Sequence, residues 1–434
     1  MIPAAEFARR RRQLMRMAGA GAALVVAAAP ERWRNADSPW PYRQDSDFHY
    51  LSGFPEPDAV LALLPGRRNG EVILFCRERD PRQERWDGVR VGSEGAVTRY
   101  GVDDAFPIDD IDDILPGMLE GRDRLYCNFG REPEFDARLL TWMRRLRGLR
   151  GGGVVPQEFV ALGHLLHDLR LYKSRNELRL MQRAAEVAVK AHLAALRVAR
   201  PGVTEYQVEA EFLRTIRAHG AESPYPAMVA AGPNACVMHY RANRGALAAG
   251  DLLMIDAGAE VDCYASDITR TLPVGGRFSP EQRALYELVL AAQQAAIDVV
   301  RPGQAFNAAH AAAVAVVADG LAELGILGRA ARARDPAALE RYFPHKTCHW
   351  LGLDVHDVGD YRVDGESRQL ETGMVLAVEP GIYIAPDDRH VAERWRGLAV
   401  RLEDDVAVGA AGPELLTAGM PRAADDIERL LANR

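Results

Sequence analysis

The stretch GDLLMIDAGAEVDCYASDITRT, residues 250–271, drives an apolar run into an acid, Asp256, and brings a second acid, Asp267, back after a turn. A lone Asp at a strand end is usually a cap or turn residue, but the run before Asp256 should lead into a core. If the stretch folds as a hairpin centred on Val261-Asp262, Asp256 faces Asp267, with Cβ atoms about 5 Å apart. GMVLAVEPG at 373–381 repeats the spacing: Gly250-x5-Asp256-x-Gly258 becomes Gly373-x5-Glu379-x-Gly381. Folding 374–408 the same way, with 386–389 in a longer loop, sets Glu379 opposite Glu403. Farther out, Arg200-Pro201-Gly202 recurs as Arg301-Pro302-Gly303, each opening a helical stretch. A histidine precedes each leading acid (His239 and His349), and a second acid follows each (Asp267 and Glu403). The doubled order predicts a pseudo-two-fold domain whose midline gathers polar groups.

Four carboxylates on one midline would repel one another and push their strands apart. Two divalent cations resolve the conflict, bringing +4 against −4 at a separation of about 3.5–4 Å suited to hydrolysis. His345-Lys-Thr-Cys-His349 is not the H-E-x-x-H of zincins, since no Glu follows His345. One histidine in an apolar segment is more often a satisfied core residue than a ligand. Three of them (His345, His349 and His356) beside a carboxylate cluster reverse that weighting. A nitrogen ligand among oxygens favours Mn(2+), with Co(2+), Fe(2+) or Zn(2+) as alternatives, over a thiolate zinc site. Asp404, beside Glu403, reads as a structural partner outside the site.

With 434 residues, the chain exceeds the size of one growing core, so two domains are expected. Residues 22–127 alternate short apolar runs with turns, as an α/β domain does. Residues 148–153 form a glycine-rich break without the Gly-Lys-Ser/Thr of a phosphate loop. Ser174-Arg-Asn-Glu177 is a capping box opening a helix with Leu178, Met181, Ala185, Val189, Leu193 and Leu196 on its buried face. The boundary therefore falls between residues 1–171 and 172–434. Arg9 to Arg12 followed by residues 17–29 imitates a secretory leader. Glu6 among the basic residues and Val25-Val26 favour a helix and a first strand instead. A net charge of −7 argues against nucleic acid, and no run has the roughly 20 apolar residues of a membrane span. Five scattered cysteines with no C-x-x-C pair read as buried apolar residues in a reducing, cytoplasmic compartment.

Ile255-Asp-Ala-Gly258, Ser266-Asp-Ile-Thr-Arg-Thr271, His349-Trp-Leu-Gly-Leu-Asp-Val-His-Asp357, Val378-Glu-Pro-Gly381 and Arg401-Leu-Glu-Asp-Asp405 together resemble the successive signatures of the pita-bread metallopeptidases. With Ala36-Asp-Ser-Pro-Trp-Pro-Tyr-Arg-Gln44 and Ser46-Asp-Phe-His-Tyr-Leu-Ser-Gly-Phe54, the chain is most similar to the aminopeptidase P (Xaa-Pro aminopeptidase) family. The resemblance implies an α/β (α+β) fold: an N-terminal α/β domain, then a pita-bread catalytic domain. It implies a dinuclear site with Asp256, Asp267, His349, Glu379 and Glu403 as ligands, Asp267 and Glu403 bridging. His239, His356 and Glu379 would be catalytic, and His345 and Arg401 would bind substrate. The family often has a Gly-Leu-Gly/Ser spacer between the first histidines, whereas Lys346, Thr347 and Cys348 stand here.

The implied activity is hydrolysis of the bond between an N-terminal residue and proline, with peptides carrying proline second as substrates. Prolidase shares the central motifs, and a metal-free pita-bread scaffold would have shed ligands, none of which is missing. The resemblance also implies a homodimer or homotetramer formed through the N-terminal domain, with Trp86 reaching toward a partner's site.

Overall fold

The computed structural model describes residues 1–149, 153–328 and 336–433, so residues 150–152 of the glycine-rich break lie outside the described residues. The chain divides into two compact units, Met1–Arg170 and Leu171–Arg434.

In the first unit, the basic quartet belongs to the helix Ala4–Ala18. Arg10 and Arg11 are about 1% exposed and donate to the carbonyls of Tyr50 and Leu51 at 3.1 and 2.9 Å. Both carbonyls belong to the helix Ser46–Ser52, whose C-terminal end favours cations. Glu6 pairs with Arg10 at 2.8 Å, which compensates the buried charge. The strand that follows, Ala22–Ala27, is central in a six-stranded sheet. It runs antiparallel to Val60–Leu63 and parallel to Arg124–Cys127.

In the second unit, Ser174 and Glu177 form the expected capping box at the head of helix Arg175–Val198. The buried face is rotated slightly from expectation: Leu180, Ala184 and Ala188 are buried, while Leu178 and Leu193 are half-buried. The unit consists of two like halves. In each, two helices pack on a small antiparallel sheet: Arg175–Val198 and Glu205–Ala218 in the first, Pro280–Asp298 and Phe306–Glu323 in the second. The turns after the two Arg-Pro-Gly triplets are anchored alike. Gly202 N–H donates to Leu247 O at 2.9 Å, and Gly303 N–H to Leu370 O at 2.8 Å. The central strands, Leu252–Asp256 and Val375–Val378, are fully apolar up to their terminal acids because both their faces are covered. An isolated bridge between Thr269 and Glu403 joins the two sheets. The acids that end these strands therefore converge.

Two sequence expectations are corrected. The first hairpin turns at Asp262-Cys263, not at Val261-Asp262, because these two residues adopt φ of 54° and 67°, the left-handed pair that a two-residue turn requires. Asp256 consequently pairs with Thr269, not with Asp267. Cys263 is thereby a turn residue and not a core one. The second correction concerns the duplicated histidine. Asp256 pairs with Met228, and Glu379 N–H donates to Thr347 O, so Met228 and Thr347 occupy like positions. The counterpart of His349 is then Ala230, and His239 lies beyond the strand in an exposed loop.

Gly258 sits where the two arms of the first hairpin pass closest. A Cβ there would stand 2.0 Å from the carbonyl oxygen of Ser266. Gly258→Ala is expected to destabilise the protein by about 2–3 kcal/mol, read from the midpoint of urea unfolding. An unchanged midpoint would refute that close approach.

Candidate metal centre

Asp267, His349 and Glu403 each offer one ligand atom, and these atoms lie within 4.8 Å of one another in the buried midline. His349 is placed by strand Cys348–Trp350, and its Nδ1 is held 3.0 Å from Trp350 O. The Nε2 is thereby aimed at three carboxylates: Asp267 at 3.7 Å, Glu403 at 3.8 Å and Glu379 at 3.9 Å. These separations exceed a hydrogen bond but suit atoms gathered around a common cation. The strand register Val378↔Asp404, continued by one residue, sets Glu379 opposite Glu403, as the sequence reading expects.

Asp256 closes the group from the first half. Arg401 binds it at 2.5 Å and donates to Tyr383 Oη at 2.7 Å. Arg401 is 3% exposed, so its charge acts inside the protein. Tyr225 hydroxyl contacts both Asp256 (2.8 Å) and, more closely, Asp267. One hydroxyl has one hydrogen, so two such contacts with ionised acids cannot both be donated. Burial and the charges of Glu403 and Asp256 push Asp267 well above the ordinary carboxylate range, which supplies the missing proton in the metal-free chain. Burial, then Glu403, raises Glu379 to about 8. Burial alone would lower His349, but the negative charges of Glu379 and Glu403 outweigh it and lift the ring to about 9. A site that protonates its own carboxylates at neutral pH is short of positive charge. Divalent cations fit that deficit and this donor set.

The other histidines surround the group. Burial lowers His345 to about 4, so its ring is neutral; Nε2 lies 2.8 Å from Tyr383 Oη, and Nδ1 3.8 Å from Glu379. His356 packs edge-on against His349 with centroids 4.4 Å apart, and burial followed by the charges of His349 and His239 lowers its pKa. His239 is exposed in the loop after the turn Gly232–Cys236.

Asp404 is a structural hub: its carboxylate is reached by Arg270 at 2.7 Å, Thr417 at 2.5 Å and Gln293 at 3.0 Å. Tyr225, Thr269 and Tyr383 escaped the sequence reading. Thr269 Oγ donates to Glu403 at 2.6 Å. Tyr225 lies in Ser223-Pro-Tyr-Pro226, where flanking prolines suggest only an irregular linker, and Tyr383 lies just past Glu379-Pro-Gly381. Their signal is tertiary.

The sequence model of metallopeptidase family M24 matches residues 179–410, and that of the aminopeptidase P N-terminal domain matches residues 7–126. The chain is 41% identical over 430 residues to the Xaa-Pro aminopeptidase of Escherichia coli, covering 98% of this chain and 97% of that one. Among solved structures, the aminopeptidase PepP of Pseudomonas aeruginosa superposes with a TM-score of 0.97 at 55% identity, over 100% of this chain and 98% of the other. Proline aminopeptidase P II from Yersinia pestis superposes with a TM-score of 0.96 at 42% identity, over 100% of both chains.

Proposed function

This chain is a member of metallopeptidase family M24 with an aminopeptidase P N-terminal domain, and from that premise we propose that it is an Xaa-Pro aminopeptidase, a metal-dependent hydrolase that releases the residue preceding proline. The observation that carries the reading is the convergence of Asp267, His349 and Glu403 within 4.8 Å, with Asp256 and Glu379 beside them. In this reading, these five residues hold two divalent ions, most readily Mn(2+), because oxygen donors with one imidazole suit hard ions. When bound, such a pair makes hydroxide available from water near neutral pH.

The chain's own residues supply the rest. Glu379 is a partly exposed carboxylate of the group, and we assign it the proton transfer to the departing proline nitrogen. His356, neutral and exposed, is positioned to donate to the oxygen that gains charge at the scissile carbonyl. An Xaa-Pro amide has no N–H, so its pocket must read ring shape, and His239 and His345 form its walls. Arg401 borders this pocket. Its guanidinium is held in place by Asp256 and Tyr383, and the match of the N-terminal domain to that of aminopeptidase P favours the aminopeptidase over prolidase. Hydrolysis of an Xaa-Pro-Xaa tripeptide against the Xaa-Pro dipeptide tests the proposal. The tripeptide should be cleaved with a higher kcat/KM, and activity confined to the dipeptide would defeat it.

Tyr225→Phe is expected to weaken Mn(2+) binding about 10-fold, the scale of losing a partner that orients metal ligands. Calorimetric titration checks it, and unchanged affinity would show that the tyrosine does not order Asp256 and Asp267. A cytoplasmic location is supported by five free cysteines, and no helix among the described residues is long and apolar enough to cross a membrane. Assembly into a dimer or tetramer is supported by exposed aromatics in the first unit: Trp33, Trp40 and, at 86% exposure, Trp86.

A further inference from the structure

A buried acid outside the metal centre organises one wall of the proline pocket. Glu205, wholly buried at the start of helix Glu205–Ala218, sends its carboxylate into the base of the loop 232–245 that carries His239. Each oxygen accepts two hydrogen bonds. Oε1 accepts from Ala231 N–H at 2.8 Å and Asn234 Nδ2 at 2.9 Å, and Oε2 from Tyr240 Oη at 2.9 Å and Gly245 N–H at 2.6 Å. Both stems of the loop and its interior therefore meet on one side chain. Inside the loop, Val237 N–H donates to Asn234 O at 3.0 Å, and Tyr240 N–H to Val237 O at 3.1 Å. His239 sits in the turn so formed, beside the residue whose hydroxyl the carboxylate holds. Burial is the first cause of the lowered pKa of His345 and of His356, and the charge of His239 adds to both, which places the three rings in one neighbourhood.

The two like halves show that the fold alone does not require an acid at this position. Thr204 bridges Ala246 as Ala305 bridges Gln369. Glu205 N–H donates to Gly245 O at 2.9 Å, as Phe306 N–H does to Arg368 O at 2.8 Å. Glu205 and Phe306 are thus equivalent, and the second half fills the place with a ring whose centroid lies 4.6 Å from that of Trp350. A buried carboxylate carries a desolvation cost that an apolar residue avoids. Here the loop's donors and the N-terminus of the helix compensate it. Building on the Xaa-Pro aminopeptidase reading, we propose that Glu205 is a positioning residue: acting through Asn234 and Tyr240, it holds the loop 232–245 so that His239 stands at the proline pocket.

The test uses Mn(2+)-loaded protein, an Xaa-Pro-Xaa tripeptide and amide hydrogen exchange. Tyr240→Phe deletes one hydroxyl and should lower kcat/KM about 5-fold, through KM, the scale of coupling between residues that share a network. In a His239→Ala background the same substitution should change kcat/KM by less than about 2-fold, because its effect runs through that histidine. Glu205→Gln leaves one accepting oxygen for four donors. Amides of the loop 232–245 should then exchange about 10-fold faster, while strand Leu252–Asp256 keeps its protection. Full additivity of Tyr240→Phe with His239→Ala, or a loss in kcat alone, would overturn the proposal. So would unchanged loop exchange in Glu205→Gln, or an acceleration shared equally by the strand. If Glu205→Gln does not fold, the cycle on Tyr240 and His239 decides. Failure of the wild type to cleave the tripeptide would instead remove the underlying activity, and exchange would still decide whether the carboxylate clamps the loop.

Discussion

Glu403→Gln is expected to cut Xaa-Pro hydrolysis by roughly 10³-fold, the scale on which preorganised charge acts at a reacting centre, without destabilising the metal-free chain. Glu403 is 2% exposed, and its charge presses on Asp267 and Glu379 alike. The glutamine oxygen can still accept from Thr269 Oγ, so the hydrogen bond at 2.6 Å survives while one mutually repelling charge disappears. Turnover measured beside thermal melting in EDTA separates the two effects. A variant keeping a tenth of the activity would show that this carboxylate holds no essential ion. Marked destabilisation in EDTA would show that its charge is balanced within the protein.

The second large effect is a pH dependence confined to the metal-free state. Glu379 stands at about 8, His349 at about 9 and Asp267 well above its ordinary range. Unfolded values are about 4.3, 6.5 and 3.9. In each case the folded pKa is the higher one, so the folded chain binds more protons than the unfolded chain between the two values. Stability is then fully present below the unfolded pKa and is lost as pH rises through the folded one. For Glu379 the loss spans pH 4.3 to about 8, and for His349 pH 6.5 to about 9. The Tm of stripped protein should therefore fall by about 5 °C or more from pH 5 to 9. Glu379→Gln should flatten the slope. Saturating Mn(2+) should flatten it too, because bound cations favour deprotonated ligands. A Tm that rises with pH in EDTA would contradict the repulsion on which the site is built.

Much of this centre is legible in the residues. The apolar runs before Asp256 and Glu379 announce strands entering a core, and the Arg-Pro-Gly triplets announce two like halves. What spacing could not reveal is register. Moving the turn by one residue shifted Asp256 from Asp267 to Thr269, and that turn depends on Asp262 and Cys263 adopting left-handed backbone, which cysteine rarely advertises. The histidine duplication failed for a related reason: His239 and His349 occupy similar sequence positions but different places relative to the strands. Tyr225, Thr269 and Tyr383 serve the site through contacts between distant segments, so no local pattern marks them. Arg10 and Arg11 show the converse case, in which a basic run resembling a leader is spent on capping carbonyls 40 residues away.

Titration of the metal-free protein with Mn(2+), reading the number of ions bound per chain, tests most directly whether anionic groups from the two halves share a pair of cations. The expected result is two ions for the wild type and loss of at least one in Asp267→Ala. Binding that does not saturate, or a count untouched by that substitution, would contradict it.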